Sequence, residues 1–296
     1  MTVDAPSRPF TRPRFRRILM ALDPSYEDVS SVEAAAALAA QLQAELLGLF
    51  VEDIDLVRLA EHPEISAYSM LSAGRQRFAA EHLKRALRTQ MARSRQAVEA
   101  AAARRRIKFA FQVRQGRLVA EVTTEAGTGD LVVVGWSRTG IATAWPTSRM
   151  GAVATARAVA EATARSVLLL RPETPSGGPV LVAYDGSDAA GQAVAMAADI
   201  AAGSTGAIEV ALLSGRIDQA DTWRREITTR LAEAGGPTLR FVHMPKAGLD
   251  DLCKTAEREA ASLLVLAADL ALDADDAARR RLERLDCSLL LVHQTS

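Results

Sequence analysis

The chain is poor in aromatic rings and nearly without cysteine. Aromatic residues make up 4% of its 296 residues, so the core has to be assembled from Ala, Val and Leu within an apolar content of 49%. The two cysteines, Cys253 and Cys287, stand far apart, and neither belongs to a CxxC pair. His62, His82, His243 and His293 are scattered, so no His/Cys group has metal-ligand spacing. A disulfide scaffold and a zinc module are both excluded, and the expected compartment is the reducing cytoplasm. No apolar run approaches the roughly 18 residues that a spanning helix needs, so no membrane partner is expected. Residues 1–14 carry Arg8, Arg12 and Arg14 with Pro9 and Pro13, and lack the apolar stretch of a signal peptide, which predicts a disordered basic arm. Formal net charge is zero, but residues 1–173 hold 24 Lys+Arg against 18 Asp+Glu, and residues 174–296 hold 12 against 18. The asymmetry reads either as two solvated surfaces or as attraction between halves or between copies. No nucleic-acid partner is expected.

What is present is a repeated alternation of short apolar runs and alanine-rich helical stretches. Apolar runs at 18–22, 46–51, 109–113, 131–134 and 167–170 predict five strands. Helical stretches fall at 32–43, 75–105, 118–126 and 150–164. The segment 173–178 is a linker by its Pro, Ser and Gly content. Beyond it the pattern restarts, with strands at 180–184, 208–213, 239–243, 263–266 and 289–292. The two series match in register. Asp23 and Asp185 each end a first strand and lie 162 apart, as do Leu46 and Ile208 in the second strands. Phe111 and Phe241 differ by 130, Leu131 and Leu263 by 132, and Val167 and Leu289 by 122. The copies are therefore 15–173 and 179–296, and the first has a helical insertion within 54–108 that the second lacks. Strands alternating with helices, without polar alternation, predict a parallel sheet covered on both faces. The expected fold class is α/β: two tandem doubly wound five-stranded parallel sheets, Rossmann-like. Each has its ligand crevice at the carboxyl ends of the strands.

The strand end Tyr184-Asp185-Gly186-Ser187 followed by an alanine-rich helix resembles the universal stress protein family. Leu47-Gly48-Leu49-Phe50-Val51-Glu52-Asp53 and Val132-Val133-Val134-Gly135 in the first copy resemble it too. The resemblance covers both halves, so the chain resembles a tandem member. It implies strand order 3-2-1-4-5, a crevice between strands 1 and 4, and pairing through the fifth strands. The two copies should then pack as a pseudo-dimer, with 167–170 near 289–292. It also implies two sub-groups, one of which binds ATP through Gly-x2-Gly-x9-Gly-Ser/Thr after strand 4. Glycines there let backbone N–H groups approach phosphate, and the hydroxyl adds a donor.

In this chain Gly135 fills the first glycine place and Arg138 the second, and Ser148-Arg149 falls where Gly-Ser would stand. The nearest later glycine is Gly151, followed by Ala152. The second copy has Ala267-Ala268-Asp269 at the corresponding strand end and no glycine after it. Asp23 and Asp185 hold the strand-1 place that contacts the nucleoside in ATP-binding relatives. Both are equally turn and helix-cap aspartates, and Gly186 and Ser187 fit either role. Arg138 and Arg149 are either anion ligands or crevice fillers. Trp136 and Trp145 either stack on a base or cover the loop. The candidate cofactor-binding set is thus Asp23, Gly135, Arg138, Ser148 and Gly151, with Asp185, Gly186 and Ser187 as a weaker set. No catalytic or metal residue is proposed, because no base, nucleophile or phosphate loop stands at a telling spacing.

The expected function is that of a non-catalytic, cytoplasmic stress-response protein acting through protein contacts, with no cofactor. The helix at 75–105 is expected to offer a stripe to another chain, as in a homo-oligomer. The alternative is a sensor that binds ATP or AMP with magnesium in the first copy, and a weak ATPase or phosphotransferase ranks last.

Overall fold

The computed structural model describes residues 15–22, 29–54, 73–135, 151–171, 177–202, 207–232, 237–272 and 275–294, the side chains of 73–83 excepted. The first half runs β1 (Arg17–Leu22), α1 (Val29–Gln41), β2 (Glu45–Asp53), α2 (Ala73–Arg105), β3 (Phe109–Gly116), α3 (Leu118–Glu125), β4 (Asp130–Gly135), α4 (Ala152–Thr163) and β5 (Val167–Leu170). The second runs β6 (Val180–Tyr184), α5 (Asp188–Ala201), β7 (Ile208–Leu212), α6 (Ile217–Ala232), β8 (Leu239–His243), α7 (Leu249–Arg258), β9 (Leu263–Ala267), α8 (Ala268–Leu272), α9 (Asp276–Arg284) and β10 (Ser288–Val292).

Both faces of each central strand are apolar because both are covered. In β1, Ile18, Met20 and Leu22 enter one core, while Leu19 and Ala21 enter the other. The first core takes its helical side from α1, α2, α5 and α6, and the second from α3, α4, α7, α8 and α9. Each core therefore runs through both repeats. Alanines at the helix–sheet contact, such as Ala35, Ala39, Ala193 and Ala197, let these helices lie close to a sheet that offers few rings.

The strands of the described residues form one sheet in the order β3-β2-β1-β4-β5-β10-β9-β6-β7-β8. Each half has the order 3-2-1-4-5, as the resemblance implies. The register repeats as well. Ile18 faces Leu46 as Val180 faces Ile208, and Leu46 faces Phe109 as Ile208 faces Leu239. Ile18 faces Leu131 as Val180 faces Leu263. All neighbours are parallel except β5 and β10, which meet antiparallel with Leu290 opposite Leu168 and Leu291 opposite Val167. The expected fifth-strand seam is thus present. Two hydrogen bonds across it mirror each other. Arg171 N–H donates to Ser288 Oγ at 3.0 Å, and His293 N–H donates to Ser166 Oγ at 3.2 Å. Ser166 and Arg171 lie 122 residues before Ser288 and His293, the same interval that relates Val167 to Leu289, so the seam has an approximate two-fold axis. Beside it, the Gln41 amide nitrogen donates to Asp199 O and Ile200 O, each at 2.7 Å, tying the end of α1 to the end of α5.

The helix expected as an insertion is the β2-to-β3 crossover itself. Val98, Ala101 and Ala102 of α2 are fully buried and Leu87 nearly so. In the second repeat α6 spans the matching crossover with buried Ala220, Ile227 and Leu231, on the same face. The repeats differ in the length of this helix, 33 residues against 16, and not in its presence. A parallel pair needs such a crossover, which is why the second repeat cannot lack it.

At the amino ends of β1 and β4 the Arg17 guanidinium grips Asp130 at 2.6 Å and Glu125 at 3.2 Å. Asp130 Oδ2 also accepts the Gly127 N–H at 2.7 Å. This charge network lies at the opposite end of the sheet from the crevices and pins the strands there.

Candidate functional site

In this topology the crevices lie where strand order reverses, at the carboxyl ends of β1 and β4 and of β6 and β9. In the second repeat the turn after β6 satisfies itself. Asp185 Oδ1 accepts the Ser187 N–H at 2.9 Å, and Ser187 Oγ accepts the Ala190 N–H at 3.1 Å as the N-cap of α5. Gly186 has φ +87°, a conformation that favours glycine. A Cβ there would come within 2.5 Å of the Trp223 ring. Trp223, on α6, lies over the turn and meets the Tyr184 ring edge-on at 5.3 Å. Tyr184 is buried, which pushes its hydroxyl pKa up to about 12. At the other wall β9 passes directly into α8 with no intervening turn, which places Asp269 at the strand end. A cleft at this end is lined by Ala189, Ala268, Asp269, Val292, His293 and Gln294. Asp185, Asp188 and Asp269 are exposed around this strand end, an acidic rim that disfavours phosphate.

In the first repeat Gly135 closes β4 beside Leu170 of β5. Asp23, Arg138 and Ser148, with Arg149, Trp136 and Trp145, lie outside the described residues. Gly151 is the N-cap of α4, and it brings no side-chain cap of its own. The space over its Cα is taken by Glu283 of α9. A Cβ at Gly151 would stand 2.8 Å from Glu283 Cδ and 3.0 Å from Oε2. Glu283 Oε1 accepts the Ala154 N–H from the first turn of α4 at 3.3 Å. The Glu283 backbone oxygen in turn accepts a hydrogen bond from the buried Arg171 guanidinium at 3.3 Å.

The remaining titratable candidates are built into the scaffold. His243 Nε2–H donates to Ser214 O at 2.7 Å. His62 lies outside the described residues, as does the side chain of His82. Cys253 and Cys287 are both buried, and burial pushes their thiols up to about 12 and about 11. A thiol held in its protonated form is a poor nucleophile. Among the described residues no group of three or more His, Cys, Asp or Glu could hold a metal ion. Nor is any helix there long and apolar enough to cross a membrane.

Sequence reasoning singled out Gly151 and Gly186 but not the side chains that cover them, Glu283 and Trp223. Both partners are distant in sequence and sit in ordinary helical patterns.

Comparison with solved structures finds the same architecture. The chain is similar to a universal stress protein from Archaeoglobus fulgidus, with TM-score 0.57 and 14% identity, over 95% of this chain and 99% of that one. The chain has the universal stress protein fold. It is also similar to a protein of unknown function from Pseudomonas aeruginosa, with TM-score 0.53 and 16% identity, over 95% of this chain and 93% of that one. No family model matches the chain, and no curated protein does. At these identities the likeness speaks for the fold. In the universal stress protein fold of this chain, Gly151 and Gly186 stand at the two crevices, each covered by one of the chain's own side chains.

Proposed function

We propose that the chain is a tandem universal stress protein of the cytoplasm that acts through protein contacts and not through catalysis. Its strand-4 turns are degenerate and cradle no nucleotide. One observation carries this reading: at the crevices the first turn of each of three helices already gives an N–H to one of the chain's own side chains. Glu283 serves the first turn of α4, Ser187 that of α5 and Asp275 that of α9. Backbone N–H groups engaged in this way are not available to phosphate. The acidic rim of the second crevice works in the same direction.

The contact role is supported by the outer edge of the first repeat. Among the described residues β3 ends the sheet, and Phe109 and Val113 on it are 41% and 42% exposed. An open edge strand with exposed apolar side chains is a template for a partner.

The test is mass spectrometry of the small molecules released when the purified chain is denatured. The expected result is no nucleotide in proportion to protein. ATP or AMP recovered at close to one equivalent per chain would overturn this reading in favour of a nucleotide sensor.

A further inference from the structure

We infer that Glu283 is a built-in anion: the second repeat inserts its carboxylate at the N-terminus of α4, where it holds the place of a ligand phosphate in the first repeat. This rests on the reading above that the first crevice does not take a nucleotide, and it names the group that keeps it closed.

A helix start leaves N–H groups that need an acceptor, and partial positive charge that favours an anion. The N-cap of α4, Gly151, offers no side-chain acceptor of its own. The equivalent helix across the two-fold, α9, has one: Asp275 Oδ1 accepts the Ala278 N–H at 2.8 Å. Only α4 of this pair takes its carboxylate from the other repeat. Gly151 is what allows the approach, since a Cβ there would press on the Glu283 carboxylate. The position of Glu283 is also prepared. Arg171, 7% exposed, holds its backbone oxygen while its own N–H is fixed on Ser288 of β10. A carboxylate and a phosphate oxygen suit this position for the same reason, so an anion entering here has to displace Glu283.

The experiment uses the full chain with inorganic phosphate as the probe. Thermal unfolding is followed at constant ionic strength, with chloride as the control anion. Glu283→Ala and Glu283→Gln are expected to lower Tm by roughly 2–4 °C, the scale of a lost helix cap in a chain of this size. Phosphate, and not chloride, should restore most of the loss in Glu283→Ala while leaving the wild type unmoved. Gly151→Ala should behave like Glu283→Ala although it removes no charge, because the new methyl displaces the flexible end of Glu283. The glutamine variant keeps the shape of the side chain, so a folded reporter remains if the alanine variant is too unstable. Variants that melt with the wild type would overturn the inference, as would a loss of Tm that phosphate does not repair. Nucleotide co-purifying with the wild type would instead overturn the proposed function, and the response of Glu283→Ala would be read separately.

Discussion

Replacing Leu290 with alanine is expected to lower the stability of both repeats together, by about 2–5 kcal/mol. Leu290 is fully buried in β10, opposite Leu168 of β5 and beside Val265 of β9. It belongs to the core that receives α1 and α2 from the first repeat and α5 and α6 from the second. A cavity at this point removes contacts from both sides of the seam at once. Leu290→Asp should be more severe, because an unpaired carboxyl enters a site with no polar partner of its own. Urea unfolding of the alanine variant should remain a single transition at a lower midpoint. Amide exchange should accelerate equally in β2 and β7, which lie well away from the seam on either side. Two transitions, one of them at the wild-type midpoint, would show instead that the repeats fold independently and that the seam is only a contact.

The second large effect is expected at high pH. Folding holds Cys253 up to about 12 and Cys287 up to about 11, against 9.0 for a free thiol, and Tyr184 up to about 12 against 10.0. Burial is the leading cause in each case. A raised folded-state value means that the native chain binds the proton more tightly than the unfolded chain does. Below about pH 9 both states keep these protons, and the stability is present in full. Above it the unfolded chain releases them while the native chain cannot, so stability falls as pH climbs towards 11–12. Each tenfold difference in proton affinity is worth about 1.4 kcal/mol, so Tyr184 alone represents about 3 kcal/mol, and the three groups together on the order of 5 kcal/mol or more. The urea midpoint should therefore be flat from pH 7 to 9 and drop steeply from pH 9 to 12. Tyr184→Phe should reduce the slope above pH 10, where the two thiols still contribute, and Cys253→Ala should reduce the slope from pH 9 upward. A slope unchanged in both variants would contradict this account.

Much of the fold was legible in the sequence because its strands are short, uninterrupted apolar runs repeated at matching intervals. The interval of 162 between Leu46 and Ile208 reappears as the register of β1 on β2 and of β6 on β7. That the fifth strands meet followed from the resemblance and from matching Val167 to Leu289; their antiparallel pairing into one sheet is added by the structure. Helix α2 was harder to place. The residues that bind it to the sheet are mainly Val98, Ala101 and Ala102, and alanines scarcely register as an apolar stripe among so many arginines. What made it look like an insertion was its length. The covering of the crevices was not legible at all. Glu283 and Gly151 lie 132 residues apart and Trp223 and Gly186 lie 37 apart, and only the closed seam and the packed crossover bring each pair together. The glycines themselves were legible as sites of close approach, but nothing local tells whether a phosphate or a side chain does the approaching. The candidate residues Asp23, Arg138 and Ser148 lie outside the described residues, so the first crevice is defined here by Gly135, Gly151 and Glu283.

The central proposal is that neither crevice takes a nucleotide. Isothermal titration of the full-length chain with ATP, ADP and AMP in the presence of magnesium tests it most directly. The account predicts no saturable heat for any of the three up to millimolar concentration. A dissociation constant of about 10 μM or tighter, roughly −7 kcal/mol, would contradict it.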